Sequence, residues 1–528
     1  MPPRAVSIVP RKNNPAGAVQ WKRLVLLMFV FSGALWLAAT WGVWLFIKYQ
    51  RRFPDVRYTD LLLPGRWAHY RTSEGNYLIA QGEIFLRQND PAAALHWLRT
   101  GISKAPANAK GRTLLARLYQ EHHRPDLAGK LLLDGLHQLA GDPVYVQTAL
   151  SFLLEFQEDA QLLDVSSRLL ALTGTAGAAC RPVAATYAAT AAYLHGNFDQ
   201  AESLIHQYQL SDSVDGAMLL ARMDWECGYP ELALLRLNAF LSQHPDYDKA
   251  RALLAGYYRF LGRNTEWKSA IIERLVHDPL AAAPRVEYLY FHHQRRDRAQ
   301  LERETESYLN QFQHDGAALL LLADFAANTG RPALARRVQQ IFSDRADPGG
   351  AVVLLVVEAH IAAGEYQAAH DLITDCRRQH PEWTGPFSPV FHGLRAVALC
   401  GLGKKDEARL SLDLLLSEKN LRADHLVAVS NRLSVLGARD LSLAVLNRAV
   451  EADPRHQAAL APLLRLELDT GQLAPVPDQL IRFMHTRRPS REILARAYET
   501  FGSDRHLFLP RQRELLASLR TALASSRL

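Results

Sequence analysis

"AAGEYQAAHDLITDCRRQHP", residues 362–381, decides how the chain is read. It gathers His370, Asp371, Asp375, Cys376 and His380 within a few turns of chain, residue types that bind metals or carry thiol chemistry. It also carries a spacing: Gly364, Ala369 five residues on, Ile373 four further, and Pro381 twelve after the alanine. The Gly-to-small-residue step recurs at Gly196/Ala201, Gly228/Ala233, Gly330/Ala335, Gly403/Ala408 and Gly437/Ser442. Proline follows twelve residues after the small residue at Ala94/Pro106, Ala233/Pro245 and Ser442/Pro454 as well. Glycine lets the chain turn after one helix, a small residue lets two helices approach, and proline ends the second helix. The stretch therefore predicts a helix–turn–helix unit that is repeated.

The pattern resembles the tetratricopeptide repeat, a helix–turn–helix unit of about 34 residues. Gly82, Phe85, Ala94, Leu98 and Pro106 match one copy of its motif, and Ala116, Tyr119, Ala128 and Leu132 match the next. Repeat starts are expected near residues 75, 109, 143, 182, 214, 247, 281, 316, 350, 389, 423 and 457. The copies near 143 and 281 are degenerate, and "WTGPFSP" (383–389) reads as a loop insertion. The fold class expected is all-α: a solenoid of about twelve repeats over 75–490, closed by capping helices over 491–528. Each helix pair has an apolar face that only its neighbours can cover, so stability is spread along the stack.

The repeat register weakens the metal reading. Cys376 and His380 are four apart and share a helix face, the spacing two ligands would use. Cys376, however, occupies the small-residue position equivalent to Gly101, Gly135 and Ala449, where it would pack against the next helix. The adjacent pairs His122/His123 and His292/His293 point to different sides of a helix and cannot readily share an ion. The four cysteines, Cys180, Cys227, Cys376 and Cys400, are far apart with no Cys-x-x-Cys, so neither a disulfide framework nor a zinc ribbon is indicated. No nucleophile elbow, phosphate-binding loop or zinc-protease motif occurs, so no enzyme, cofactor or metal is expected. Net charge is +7, with several cations in the first 70 residues. The basic clusters "HHQRRDR" (292–298) and "HTRRPSR" (485–491) read as solvated helix faces, and nucleic acid is not an expected partner.

Residues 24–47 run for 24 residues without a charge, about 36 Å of helix against a hydrocarbon core of about 30 Å. They predict a single transmembrane helix between a basic tail (1–23) and a juxtamembrane linker (48–74). A cleaved signal peptide is disfavoured because "WGVWLFI" continues past the small residues at 37–40. Five cations precede the span and five follow it, so the positive-inside rule does not decide orientation. A five-cation tail resists translocation, which places the solenoid outside the cytoplasm; a cytoplasm-facing solenoid is the alternative. The linker either lies at the membrane surface or packs on the first repeat.

In this family first-helix positions usually face a concave groove. The resemblance thus implies a protein partner contacted by Glu83, Arg117, Tyr193, Arg222, Trp225, Asp324 and Glu358. The carboxylate clamp of the chaperone-binding members is not reproduced, since its positions hold Ile79 with Glu83 and Thr113 with Arg117. The function expected is a membrane-anchored interaction scaffold in a bacterial envelope assembly for secretion, pili or surface polysaccharide. A non-catalytic regulatory subunit of a membrane enzyme such as a glycosyltransferase is the alternative. One membrane-anchored class of relatives that regulates lipopolysaccharide synthesis ends in a cysteine-based metal module, which this chain lacks.

Overall fold

A computed structural model describes residues 21–50, 53, 56–343, 350–380, 387–506 and 512–525. The expected basic tail, up to residue 20, and the expected loop, up to residue 386, lie outside these residues. Among the described residues there are helices and no strands. The chain forms two compact units, 1–188 and 189–528, divided within helix Gly174–Leu194.

Helices come in antiparallel pairs, and the residue that ends each first helix explains the periodicity. Gly196, Gly228, Gly262, Gly330, Gly364, Gly403, Gly437 and Gly471 all have φ between +61° and +78° or +81°. Glycine pays no steric penalty there, which is why it marks the turn in sequence. Asn89, His123, Gln157 and Arg296 take the same left-handed conformation at φ +60°, +55°, +56° and +57°. Together these positions recur at intervals of about 34 residues. The copies that look degenerate near 143 and 281 are those whose turn is made by Gln157 and Arg296.

The residue five after each turn lies between the paired helices. Ala94, Ala128, Ala201, Ala233, Ala335, Ala369 and Ala408 are fully buried there. Leu162, Trp267 and Leu301 fill the same position in other pairs and are also buried. The Trp267 indole N–H donates to Glu287 at 3.0 Å, so the larger ring brings no unsatisfied donor into the core. Side-chain caps fix several helix starts: Asp90, Asn108, Asp142, Ser213, Asp297 and Asp315 each accept from backbone N–H groups of the first turn.

First helices begin at Ala109, Pro143, Val214, Asp248, Ala282, Gly316, Ser388, Ala423 and Gln457, at or within a residue of the expected starts. Two begin earlier. Trp67–Arg87 starts ahead of residue 75, and Gly174–Leu194 runs through Pro182, which in sequence reads as a helix start. A proline inside a helix removes one backbone hydrogen bond, and here the helix continues on both sides of it.

The core follows the stack and has no single centre. In the unit 189–528 one buried cluster joins Ala217 to Tyr257, another Val286 to Val352, and a third runs from Val353 to Leu519. The last takes in the end helices Arg491–Gly502 and Gln512–Ser525 through Leu494, Phe501, Leu515 and Leu519.

In the unit 1–188, helix Trp21–Leu45 continues as a π-helical turn, Phe46–Gln50, and is apolar over Leu24–Gln50, an 18-residue stretch of it averaging a hydropathy of 2.0. It is the one helix among the described residues long and apolar enough to cross a membrane. The linker packs back onto it. Ile47, Phe53, Val56 and Leu61 form a buried cluster against Trp44 of that helix and Tyr70 and Tyr77 of the first repeat.

Candidate partner-binding face

Among the expected contact residues in the unit 1–188, Glu83 bridges Arg87 at 2.9 Å and Lys110 at 2.6 Å. The hydrogen bond from Lys110, then that from Arg87, holds its carboxyl below the usual value. Arg117 pairs with Glu121 at 3.3 Å and is otherwise exposed. Both residues sit in surface ion pairs, that of Glu83 reaching Lys110 of the following repeat, and such pairs contribute weakly to stability.

In the unit 189–528 the first helices present a connected polar face. Asn328 donates to Asp324 at 2.9 Å and lies 3.4 Å from the Tyr290 hydroxyl. Partial burial, then the neighbouring Glu358, raises the Asp324 pKa. Arg432 donates to Glu358 at 3.2 Å, from a first helix two pairs further along the chain. Asp324, Glu358 and Arg432 thus meet across repeats on one side of the stack, with Tyr290 beside Asn328. His425 lies in the same field; burial lowers its pKa, and Glu358 opposes the shift. Tyr290 holds the same register as Asp324 and Glu358 but belongs to a degenerate copy, which is why sequence reasoning passed over it.

The aromatic members are already engaged. Trp225 lies flat on Tyr257, ring centres 3.9 Å apart and planes within 1°, with Phe260 edge-on at 5.5 Å. Tyr193, only 8% exposed, stacks on Phe198 and donates its hydroxyl hydrogen to Glu226. Above it sits Arg488, 4.3 Å from the Tyr193 ring centre and 5.3 Å from that of Phe198. The Arg488 Nε donates to the Tyr193 carbonyl at 3.1 Å and to the Leu194 carbonyl at 3.2 Å, and the guanidinium pairs with Glu226. Arg222 remains exposed beside this group.

One expectation is corrected here. The cluster 485–491 is not simply a solvated helix face: Arg488 sits outside any helix, at φ +69°, with its side chain over Tyr193. Tyr193 in turn is covered by its own chain. No periodicity argument could pair residues this far apart, because the curvature that brings them together accumulates over many repeats.

The reactive-looking cluster separates. Cys376 is 7% exposed, and burial pushes its thiol up to about 11, which leaves it almost wholly protonated at neutral pH. His380 ends its helix, with its backbone N–H bonded to the Cys376 carbonyl at 2.8 Å. His292 is buried while His293 is partly exposed, and His123 is a turn residue while the His122 ring lies 2.9 Å from the Leu118 carbonyl. Among the described residues no three of His, Cys, Asp and Glu stand in a metal-holding group.

No known family profile matches the chain. It is 28% identical over 303 residues to cellulose synthase operon protein C of Xanthomonas axonopodis pv. citri, which covers 57% of this chain. The match takes in 17% of that relative's length, so this chain spans only a small part of it. Three solved structures are similar over most of the chain at 12–14% identity. The APC/C hetero-tetramer Cut9–Hcn1 has a TM-score of 0.31 and covers 87% of this chain and 88% of its own. Naa15/Naa10 bound to HypK-THB scores 0.30 and covers 94% and 80%. Yeast Tom70 scores 0.32 and covers 85% and 95%. Scores this low do not set one chain's residues on another's.

Proposed function

We propose that this chain, a tetratricopeptide-repeat-like protein by its helix pairs and their turns, is a membrane-anchored scaffold for protein partners in a bacterial cell envelope. The observation that carries the reading is the connected polar face of the unit 189–528, where Asp324, Glu358 and Arg432 meet across repeats. Charged and aromatic groups on the inside of a curved helical stack suit an extended peptide or a partner helix. Glu83, Arg117, Tyr193, Arg222, Trp225, Asp324 and Glu358 are the proposed contacts. Arg222, Asp324 and Glu358 are the most direct, since Tyr193 and Trp225 act through the aromatic groups that hold them.

The helix Leu24–Gln50 supplies the proposed anchor in the inner membrane, with the solenoid on the extracytoplasmic side. The distant likeness to a cellulose synthase operon protein favours a surface-polysaccharide assembly over secretion or pili. It also supports a second reading, a non-catalytic subunit of one membrane glycosyltransferase. Capture from a detergent extract separates the two: several envelope proteins support the scaffold, and one stoichiometric membrane enzyme supports the subunit. A Glu358→Lys, Asp324→Lys variant that captures the same partners to the same extent sinks the groove assignment. Protease digestion of intact spheroplasts tests sidedness, with cleavage of the solenoid expected and protection counting against it.

A further inference from the structure

The segment after the apolar helix does more than link it to the first repeat. Residues 58–62 form a short helix against the apolar helix, and 64–66 form a single 3-10 turn that follows it. The Trp44 indole N–H donates to the Val56 carbonyl at 3.1 Å, Trp36 to Leu62 at 3.1 Å, and Trp67 to Leu61 at 3.0 Å. Tyr58 donates its hydroxyl hydrogen to the Leu37 carbonyl at 3.1 Å and lies 3.2 Å from the Thr40 hydroxyl. Two carbonyls at the end of the short helix and one just before it are thus each met by a tryptophan.

One charge of the segment is handled in the same way, while Arg57 and Arg66 stay exposed. Asp60 is buried, 3.2 Å from His69 and 3.6 Å from Arg66, so its carboxylate is paired within the segment. What the turn leaves exposed is Leu63, Pro64, Gly65 and Trp67, with Arg66 between them, beside the exposed Trp36, Leu37, Trp41 and Phe46 of the apolar helix. A water-exposed linker has no need to satisfy its carbonyls with indoles or to bury its carboxylate beside a cation. Backbone at membrane depth has both needs, and ionisable groups there pair with one another.

Depth follows from the register. Trp36, which meets the tip, lies about 18 Å of helix before Lys48. The charge-free run exceeds a hydrocarbon core by only about 6 Å. The tip therefore sits roughly 10 Å inside the hydrocarbon boundary if that run spans the bilayer. We propose that residues 56–67 form a re-entrant foot embedded in lipid beside the C-terminal half of the apolar helix, touching acyl chains through Leu63, Pro64 and Trp67. Helix Trp67–Arg87 then starts at the foot, so the first repeat is fixed to the bilayer and not hung on a flexible tether. The proposal rests on the membrane reading above.

The test is lipid cross-linking of the full chain in phosphatidylethanolamine–phosphatidylglycerol vesicles, with the photoreactive residue p-benzoylphenylalanine placed at Leu63, at Met28 in the apolar helix, or at Val435 on the solenoid surface. All three positions are exposed, so the substitutions disturb little packing. Lipid adducts at 63 within about threefold of those at 28, and at least about tenfold above those at 435, support the foot. Adducts at 28 with 63 no higher than 435 overturn the foot and leave the anchor standing. Background labelling at both 28 and 63 overturns the anchor and the foot together.

Discussion

The guanidinium of Arg488 lies 4.3 Å from the centre of the Tyr193 ring, joining the loop after helix Val476–Met484 to the last turn of helix Gly174–Leu194. The same group bonds two carbonyls at that helix end and pairs with Glu226 on the next first helix. A cation placed at a helix C-terminus and over an aromatic face is favourable on both counts, worth about 1–2 kcal/mol in a partly desolvated site.

Removing that side chain should therefore loosen both ends of the contact without unfolding the stack. In Arg488→Gly, backbone amides of residues 193–198 and 485–490 are expected to exchange hydrogen about tenfold faster. Arg488→Ala should cost about 1 kcal/mol more, because alanine at φ +69° is strained and glycine is not. Exchange rates unchanged in both variants would remove the contact from any role in holding the curve.

The turn residues give a prediction of opposite sign. Gln157 and Arg296 hold a left-handed conformation that glycine adopts freely. Gln157→Gly and Arg296→Gly should each stabilise the chain by about 0.5 kcal/mol, the relieved strain exceeding the added freedom of the unfolded chain. Gly228→Ala and Gly364→Ala should each destabilise it by about 1 kcal/mol. Urea melts followed by circular dichroism read both effects, and equal shifts for the two classes would mean that turn strain is not what separates them.

These residues also mark how far the sequence could be read. Gly364, Ala369 and their equivalents announce the repeat because backbone conformation and close packing restrict those positions to few residue types. The turns at His123, Gln157 and Arg296 were hidden because any residue can occupy the left-handed region at a modest cost. Trp267 obscured its own copy by filling the alanine position with a large ring. At the candidate face, the register of Asp324 and Glu358 was legible, whereas Arg432 and Arg488 were not. Sequence periodicity fixes neighbours, but the summed rotation between repeats decides which distant residues meet.

Arg274 illustrates a buried charge that holds two pairs together. Its side chain is 6% exposed, donates to Asp248 at 2.6 and 2.9 Å, and also bonds Glu287 of the following pair. The hydrogen bond from Arg274 lowers the Asp248 pKa. A carboxylate with a depressed folded pKa contributes stability that is present above its unfolded value, about 3.9, and is lost as pH falls through the folded value. Arg274→Met should cost about 2 kcal/mol at neutral pH by leaving Glu287 with the Trp267 indole but no cation, and it should flatten the acid limb of the stability profile. Melts of both proteins across the acid range check this, and parallel acid limbs would show that Arg274 does not set the Asp248 titration.

Glu467 carries the reverse case. It is 1% exposed, accepts from Gln479 at 3.1 Å through Oε1, and burial raises its pKa. Its folded pKa lies above the unfolded value of about 4.3, so folding takes up a proton between the two and stability falls as pH rises through that window. At any pH above the unfolded value the upward shift costs stability, and neutral pH lies in that range. Glu467→Gln keeps the shape and the bond to Gln479 while removing the charge. The variant should be more stable by roughly 1 kcal/mol at neutral pH and equal to the parent below the unfolded value. A parent that gains no stability relative to Glu467→Gln on acidification would place Glu467 in contact with water or a counter-charge and overturn the assignment.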